Sequence, residues 1–204
     1  GDGPVLLPLP LALTPEGIRE RTVTADTDLV IEGFPRSGNT YAVFAEHDRL
    51  ILSLTGRCGV ILPTGIATDA TTQHFFKELV TNASLASLYD FENRRPLFES
   101  VDSRFKFCLL TTTGVGVAVE RVDFAFFAHD PADLSREGVR FEMTPEEIQL
   151  LNPNTGTCSV FRSRRDAELA LEMYRRTPVL VRRGHADGNP WEVTFMQGMF
   201  NMTS

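Results

Sequence analysis

The sequence predicts the α/β class: a largely parallel sheet with flanking helices, followed by a more irregular α+β segment. Three observations carry that expectation. Short β-branched and aromatic runs alternate with segments of helical spacing, the order that a parallel sheet with crossover helices produces. One of the runs, Cys58-Gly-Val-Ile-Leu-Pro63, is continuously apolar, as in a strand covered on both faces. Finally, the 204 residues are 42% hydrophobic, enough to bury a sizeable core.

The elements follow in order. Residues 1–25 are Pro-rich and read as a loose N-terminal arm. Leu29-Val-Ile-Glu-Gly-Phe34 has a strand composition and runs into the turn Pro35-Arg-Ser-Gly-Asn-Thr40. Residues 41–54 place Tyr41, Phe44, Ala45, Ile51 and Leu52 at roughly helical spacing, with Gly56 expected as a left-handed cap. The apolar strand at 58–63 opens into the loop Pro63-Thr-Gly-Ile-Ala-Thr-Asp69. Thr68 or Asp69 is then expected to cap a helix over 70–81. Strand patterns recur at 83–91, 104–110, 115–119 and 125–127. Thr144-Pro-Glu-Glu147 is a capping box opening a short helix, and 166–176 is an amphipathic helix that stops before Pro178. The resulting organisation is an arm (1–25), an α/β region (26–128) and a C-terminal extension (129–204).

Composition excludes several function classes. A net charge of −7 argues against strong nucleic-acid affinity by the chain itself. The basic cluster Arg162, Arg164, Arg165, Arg175, Arg176, Arg182 and Arg183 reads first as a solvated helix face and its flanks. Cys58, Cys108 and Cys158 are far apart and lack CxxC spacing, as expected of reduced core thiols in a cytoplasmic protein. The four histidines are equally scattered, so no metal site is expected. The apolar stretch at 6–13 is broken by Pro8 and Pro10 and is too short to span a bilayer.

A collinear set of segments adds a family resemblance. These are Thr40-Tyr-Ala-Val-Phe-Ala-Glu46, Gly56-Arg-Cys-Gly-Val-Ile-Leu-Pro-Thr-Gly-Ile-Ala-Thr-Asp69, Ser87-Leu-Tyr-Asp-Phe-Glu-Asn93 and Phe98-Glu-Ser-Val-Asp-Ser-Arg-Phe-Lys-Phe-Cys-Leu-Leu110. Leu151-Asn-Pro-Asn-Thr-Gly-Thr-Cys158, Asn189-Pro-Trp191 and Gln197-Gly-Met-Phe200 continue it. From about residue 40 to 204 the chain resembles the C-terminal part of the catalytic domain of adenine-specific DNA methyltransferases, of the fused, type IIG-like restriction–modification kind. That resemblance implies a Rossmann-like sheet, S-adenosylmethionine held at strand carboxyl ends, and a target adenine flipped out of duplex DNA. It assigns Phe98 to base stacking. Pro63, Thr64 and Gly65, in the loop at a strand's carboxyl end, fit the lining of a substrate cleft, since ligands sit at such strand ends, and fit equally a simple strand-to-helix turn. Phe98 also fits ordinary packing among Phe91, Phe105 and Phe107, and Glu99 follows it where the family carries Pro. No Asn-Pro-Pro-aromatic sequence occurs; Asn152-Pro-Asn154 and Asn189-Pro-Trp191 read as turns. Residues 1–39 match neither the family's Gly-rich cofactor loop nor its acidic ribose partner. The expectation is therefore a partial, incomplete sheet, inactive alone, with weak S-adenosylmethionine binding and with a partner chain supplying the missing N-terminal half.

Two alternatives stand beside this one. The chain could be a non-catalytic remnant or a subunit that completes a partner. Residues 23–41 resemble instead the opening of a sulfotransferase, which implies phosphosulfate binding through Arg36, Ser37, Gly38, Asn39 and Thr40. A tight loop at a helix N-terminus offers backbone N–H groups to an anion.

Overall fold

The computed structural model describes residues 40–95, 97–177 and 179–196. The strand expected at 29–34 and the turn before Thr40 lie outside these residues. The described elements are α1 (Thr40–Ile51), β1 (Arg57–Pro63), a one-turn α2 (Gly65–Thr68), α3 (Gln73–Thr81), β2 (Leu85–Glu92), β3 (Lys106–Thr113), β4 (Val122–Ala128), β5 (Phe141–Met143), α4 (Pro145–Leu151) and α5 (Arg164–Arg176). Short 3-10 turns occupy Ala70–Thr72 and Pro131–Ser135.

The class is α/β, with a five-stranded open sheet in the order β1-β3-β2-β4-β5. The pairing corrects the expectation of a largely parallel sheet. β3 lies between β1 and β2 and is antiparallel to both; β2 and β4 are parallel, and β5 is antiparallel to β4. β1, β2 and β4 therefore share one direction, but only β2 and β4 are parallel neighbours. The cause is local: the connection 93–105 returns the chain as a hairpin strand, which slots in beside β2 and separates it from β1.

The core forms on one sheet face. There Leu62, Leu88, Cys108, Leu110 and Phe124 meet Ala42 and Ala45 of α1, Phe75, Phe76, Leu79 and Val80 of α3, Ile148 and Leu151 of α4, and Ala167 and Leu171 of α5. Because side chains alternate across a strand, Ile61, Leu109 and Tyr89, which stand in one cross-strand row, point to the opposite face. Ile61 is 57% exposed and the other two are half-buried. Among the described residues, the apolar run at 58–63 is thus an edge strand covered on one face.

Several local expectations change for physical reasons. α1 ends at Ile51, five residues before Gly56, which does not take a positive φ. Gly56 is instead a crossing point: its carbonyl accepts from the Gly114 N–H at 2.9 Å. Gly114 itself has no room for a side chain, since a Cβ would stand 2.0 Å from the Ser53 carbonyl oxygen. Neither Asp69 nor Thr72 caps with its side chain, and the Thr68 hydroxyl donates back to the Thr64 carbonyl at 3.3 Å. Residues 115–119 form no strand, and Val115 is exposed. The Thr144 capping box forms as expected: its hydroxyl accepts from the Glu147 N–H at 3.3 Å, and the Glu147 carboxylate accepts from the Thr144 N–H at 3.1 Å. α5 starts two residues earlier than expected, with the Ser163 hydroxyl accepting from the Asp166 N–H.

Candidate functional site

A cleft of about 710 Å³ opens at the carboxyl end of β1. It gathers residues from several parts of the chain. The strand end and its turn supply Pro63, Thr64 and Gly65; the β2–β3 connection supplies Phe98, Val101 and Phe105; and α1 contributes Tyr41. The structure thus brings together the four residues singled out for this cleft, Pro63, Thr64, Gly65 and Phe98. Of the residues in the alternative phosphate loop, Arg36, Ser37, Gly38 and Asn39 lie outside the described residues, and Thr40 is the exposed first residue of α1.

Phe98 serves two purposes at once. Its ring meets Phe107 edge-on at 5.0 Å, and Phe107 stacks on Phe91 at 5.3 Å. Yet Phe98 keeps 40% of its surface exposed and lines the cleft. Phe98 is thus packed against Phe107 while part of its surface lines the cleft.

Two buried polar residues that sequence reasoning passed over set this geometry. Asp90 on β2 is 1% exposed and also lines the cleft. Its carboxylate accepts from the Thr64 hydroxyl at 2.6 Å and from the Phe127 N–H at 3.2 Å. It thereby fastens the turn after β1 to a bulged position on β4, where Phe127 has a φ of +60°. Asn93 is fully buried. Its amide NH₂ donates to the carbonyls of Phe98 at 2.9 Å and Val101 at 2.8 Å, and its Oδ1 accepts from the Phe98 N–H at 3.2 Å. The signal was present in Ser87-Leu-Tyr-Asp-Phe-Glu-Asn93, where Asp90 occupies the same strand face as Leu88 and a carboxylate in an apolar row requires partners.

The rim is charged but internally compensated. Glu92 receives Lys106 Nζ at 3.1 Å, Arg94 Nε at 2.6 Å and His129 Nε2 at 3.3 Å. Lys106 chiefly, against the cost of burial, lowers the Glu92 carboxyl to about 2. Lys106 Nζ also sits 4.6 Å from the centre of the Phe127 ring. Cys108, paired with Asp90 across β2 and β3, is buried, and burial chiefly, then Asp90, pushes its thiol up to about 12. Cys58, Cys108 and Cys158 are all free thiols. In the basic cluster, Arg164 pairs with Glu168 at 2.6 Å and Arg175 with Glu147 at 2.8 Å, and Arg176 pairs with Glu172. Residues 152–155 and 189–192 are turn-rich, so both Asn-Pro near-matches stand in turns. Among the described residues, no helix is long and apolar enough to cross a membrane.

No known protein family and no curated protein matches the sequence. Solved structures do. A chain of a type I R-M system superposes with a TM-score of 0.47 and 11% identity, over 69% of this chain and 37% of its own length. The type IIG restriction endonuclease BpuSI superposes with a TM-score of 0.38 and 18% identity, over 52% of this chain and 14% of its own length. This chain therefore spans well under half of either protein.

The turn after β1 and the Asp90 carboxylate do not supply what S-adenosylmethionine requires. A cofactor of that kind needs an open Gly-rich turn and a free carboxylate for its ribose hydroxyls. Here the turn after β1 folds directly into α2, and a Cβ on Gly65 would stand 2.4 Å from the Asp69 carboxylate. Asp90 is already engaged by Thr64 and Phe127.

Proposed function

We propose that this chain carries the base-binding side of an adenine-specific DNA methyltransferase of the restriction–modification kind. In this reading the methyl donor and the Asn-Pro-Pro-aromatic loop are held by residues other than these 204. The supporting observation is the cleft at the end of β1, where a half-exposed Phe98 faces Pro63, Thr64 and Gly65. A flipped adenine presents a planar face for Phe98 and ring edges for the polar turn at Thr64. The net charge of −7 fits a part of the enzyme that receives an extruded base and leaves most phosphate contacts to other residues.

The direct test is a titration of the isolated chain with 2′-deoxyadenosine, followed by amide chemical shifts. Shifts are expected at residues 62–65, 98–101 and 105–107. Stacking on one aromatic ring contributes about 1–3 kcal/mol, so Phe98→Ala should weaken binding by about 5- to 150-fold. Shifts confined to other surfaces, or equal affinity in the variant, would remove the base from this cleft. A second expectation concerns the donor: calorimetry of the isolated chain with S-adenosylmethionine should give no heat of binding, and micromolar affinity would show that the chain holds its own cofactor site.

A further inference from the structure

We propose that the Thr64 hydroxyl is the group that selects the base in this cleft: it accepts a hydrogen bond from the exocyclic amino group of a bound adenine, while the Tyr41 hydroxyl donates to the ring nitrogen beside it. The inference rests on the base-binding reading above and deepens it by naming the specificity-determining side chains.

The direction of that bond follows from where the hydroxyl hydrogen goes. A threonine hydroxyl carries one hydrogen and two lone pairs. The hydrogen of Thr64 is committed to the Asp90 carboxylate at 2.6 Å. Asp90 is itself held from the other side, because its second oxygen accepts from the Phe127 N–H at 3.2 Å. Toward the cleft Thr64 can therefore only accept. Donation to a carboxylate also polarises the hydroxyl and strengthens it as an acceptor. Thr64 lines the cleft yet is only 7% exposed, so an N–H that reaches it meets little competing water.

The rest of the turn has the same polarity. Thr68 also lines the cleft, and its hydroxyl hydrogen is directed to the Thr64 carbonyl or the Asp69 carboxylate, each at 3.3 Å. Lys106, the cation of the cleft, is turned to Glu92 at 3.1 Å and to the Phe127 ring. A planar ligand resting on Phe98 thus meets an edge of acceptors, which favours a ring amino group and disfavours a carbonyl in the same place. The complementary donor is Tyr41, which lines the cleft from α1. Its hydroxyl lies beside Gly65, 3.3 Å from where a Cβ on that residue would stand. Acceptor and donor at neighbouring positions match an amino group next to an unprotonated ring nitrogen, the pattern of adenine N6 with N7. The second amino hydrogen stays available to the residues that carry the methyl-transfer loop.

The test titrates the full 204-residue chain with 2′-deoxyadenosine and with 2′-deoxynebularine, which lacks only the amino group, and follows amide chemical shifts. Deoxyadenosine is expected to bind about tenfold more tightly, the effect of one well-shielded hydrogen bond. Thr64→Val keeps the side-chain shape without the hydroxyl and should bring the two affinities within about twofold of each other, whereas Thr64→Ser should keep the preference. Tyr41→Phe should weaken both nucleosides together, since both retain the ring nitrogen, and wild-type affinities in that variant would strike Tyr41 from the site. Equal affinities in the wild-type chain would overturn the proposal whatever the variants do. So would a Thr64→Val chain that binds both nucleosides more weakly with the preference intact, which would leave Thr64 as a fastener of the turn alone. If neither nucleoside shifts residues 62–65 and 98–107, the base-binding reading itself falls, and this inference with it.

Discussion

Asp90→Ala is expected to lower the unfolding free energy by about 3–5 kcal/mol, one of the largest effects of any single polar substitution here. The carboxylate is 1% exposed and takes hydrogen bonds from the Thr64 hydroxyl and the Phe127 N–H. Removing it leaves both donors buried without an acceptor, at about 1–3 kcal/mol each, besides a cavity in a packed interior. The Phe127 N–H matters more than an ordinary amide. A non-Gly residue at a φ of +60° is strained by about 1–2 kcal/mol, and the bond to Asp90 is what holds it there. Asp90→Asn keeps the volume and one acceptor oxygen, so it should cost less than half as much. Urea denaturation of both variants decides this. If Ala and Asn variants are equally stable, Asp90 is not the fastener between β1 and β4.

This residue also shows what the sequence could and could not convey. The elements were legible because their signals are local. Thr144 and Glu147 form their capping box because the two groups needed are three residues apart, and α5 follows from one-sided apolar spacing. Strand direction is a different kind of quantity. Cys58-Gly-Val-Ile-Leu62 is apolar whether its neighbour runs with it or against it, and a continuous apolar run by itself implies two-sided burial. Among the described residues it stands at an edge, with an antiparallel β3 between it and β2. The cleft was half legible. Pro63, Thr64, Gly65 and Phe98 meet there from segments more than thirty residues apart, the first three legible as a loop at a strand's carboxyl end and Phe98 through the family resemblance. Asp90 and Asn93 were passed over because their roles depend on partners that no local pattern reveals: Thr64 and Phe127 for the one, and the Phe98 and Val101 backbone for the other.

Asn93→Ala is expected to cost about 2–4 kcal/mol of stability and to weaken base binding in the cleft. Its side chain closes three hydrogen bonds to the turn that carries Phe98, and its own N–H donates to the Phe105 carbonyl at 3.1 Å, so both ends of the connection 97–105 are tied to one residue. Loss of three bonds at a fully buried site would approach the upper end of the range. The turn is exposed, however, so its freed carbonyls can turn to water, which holds the cost below that of Asp90→Ala. The consequence for the cleft is geometric. Phe98 would keep its contact with Phe107 but lose the backbone constraint that aims it, so deoxyadenosine affinity should fall several-fold even where the chain remains folded. Asn93→Asp separates the two effects: it keeps the acceptor for the Phe98 N–H but loses both donors and buries a charge. It should be at least as unstable as Asn93→Ala while retaining more of the affinity. A variant series in which affinity and stability fall in strict proportion would instead make Asn93 a packing residue with no part in aiming Phe98.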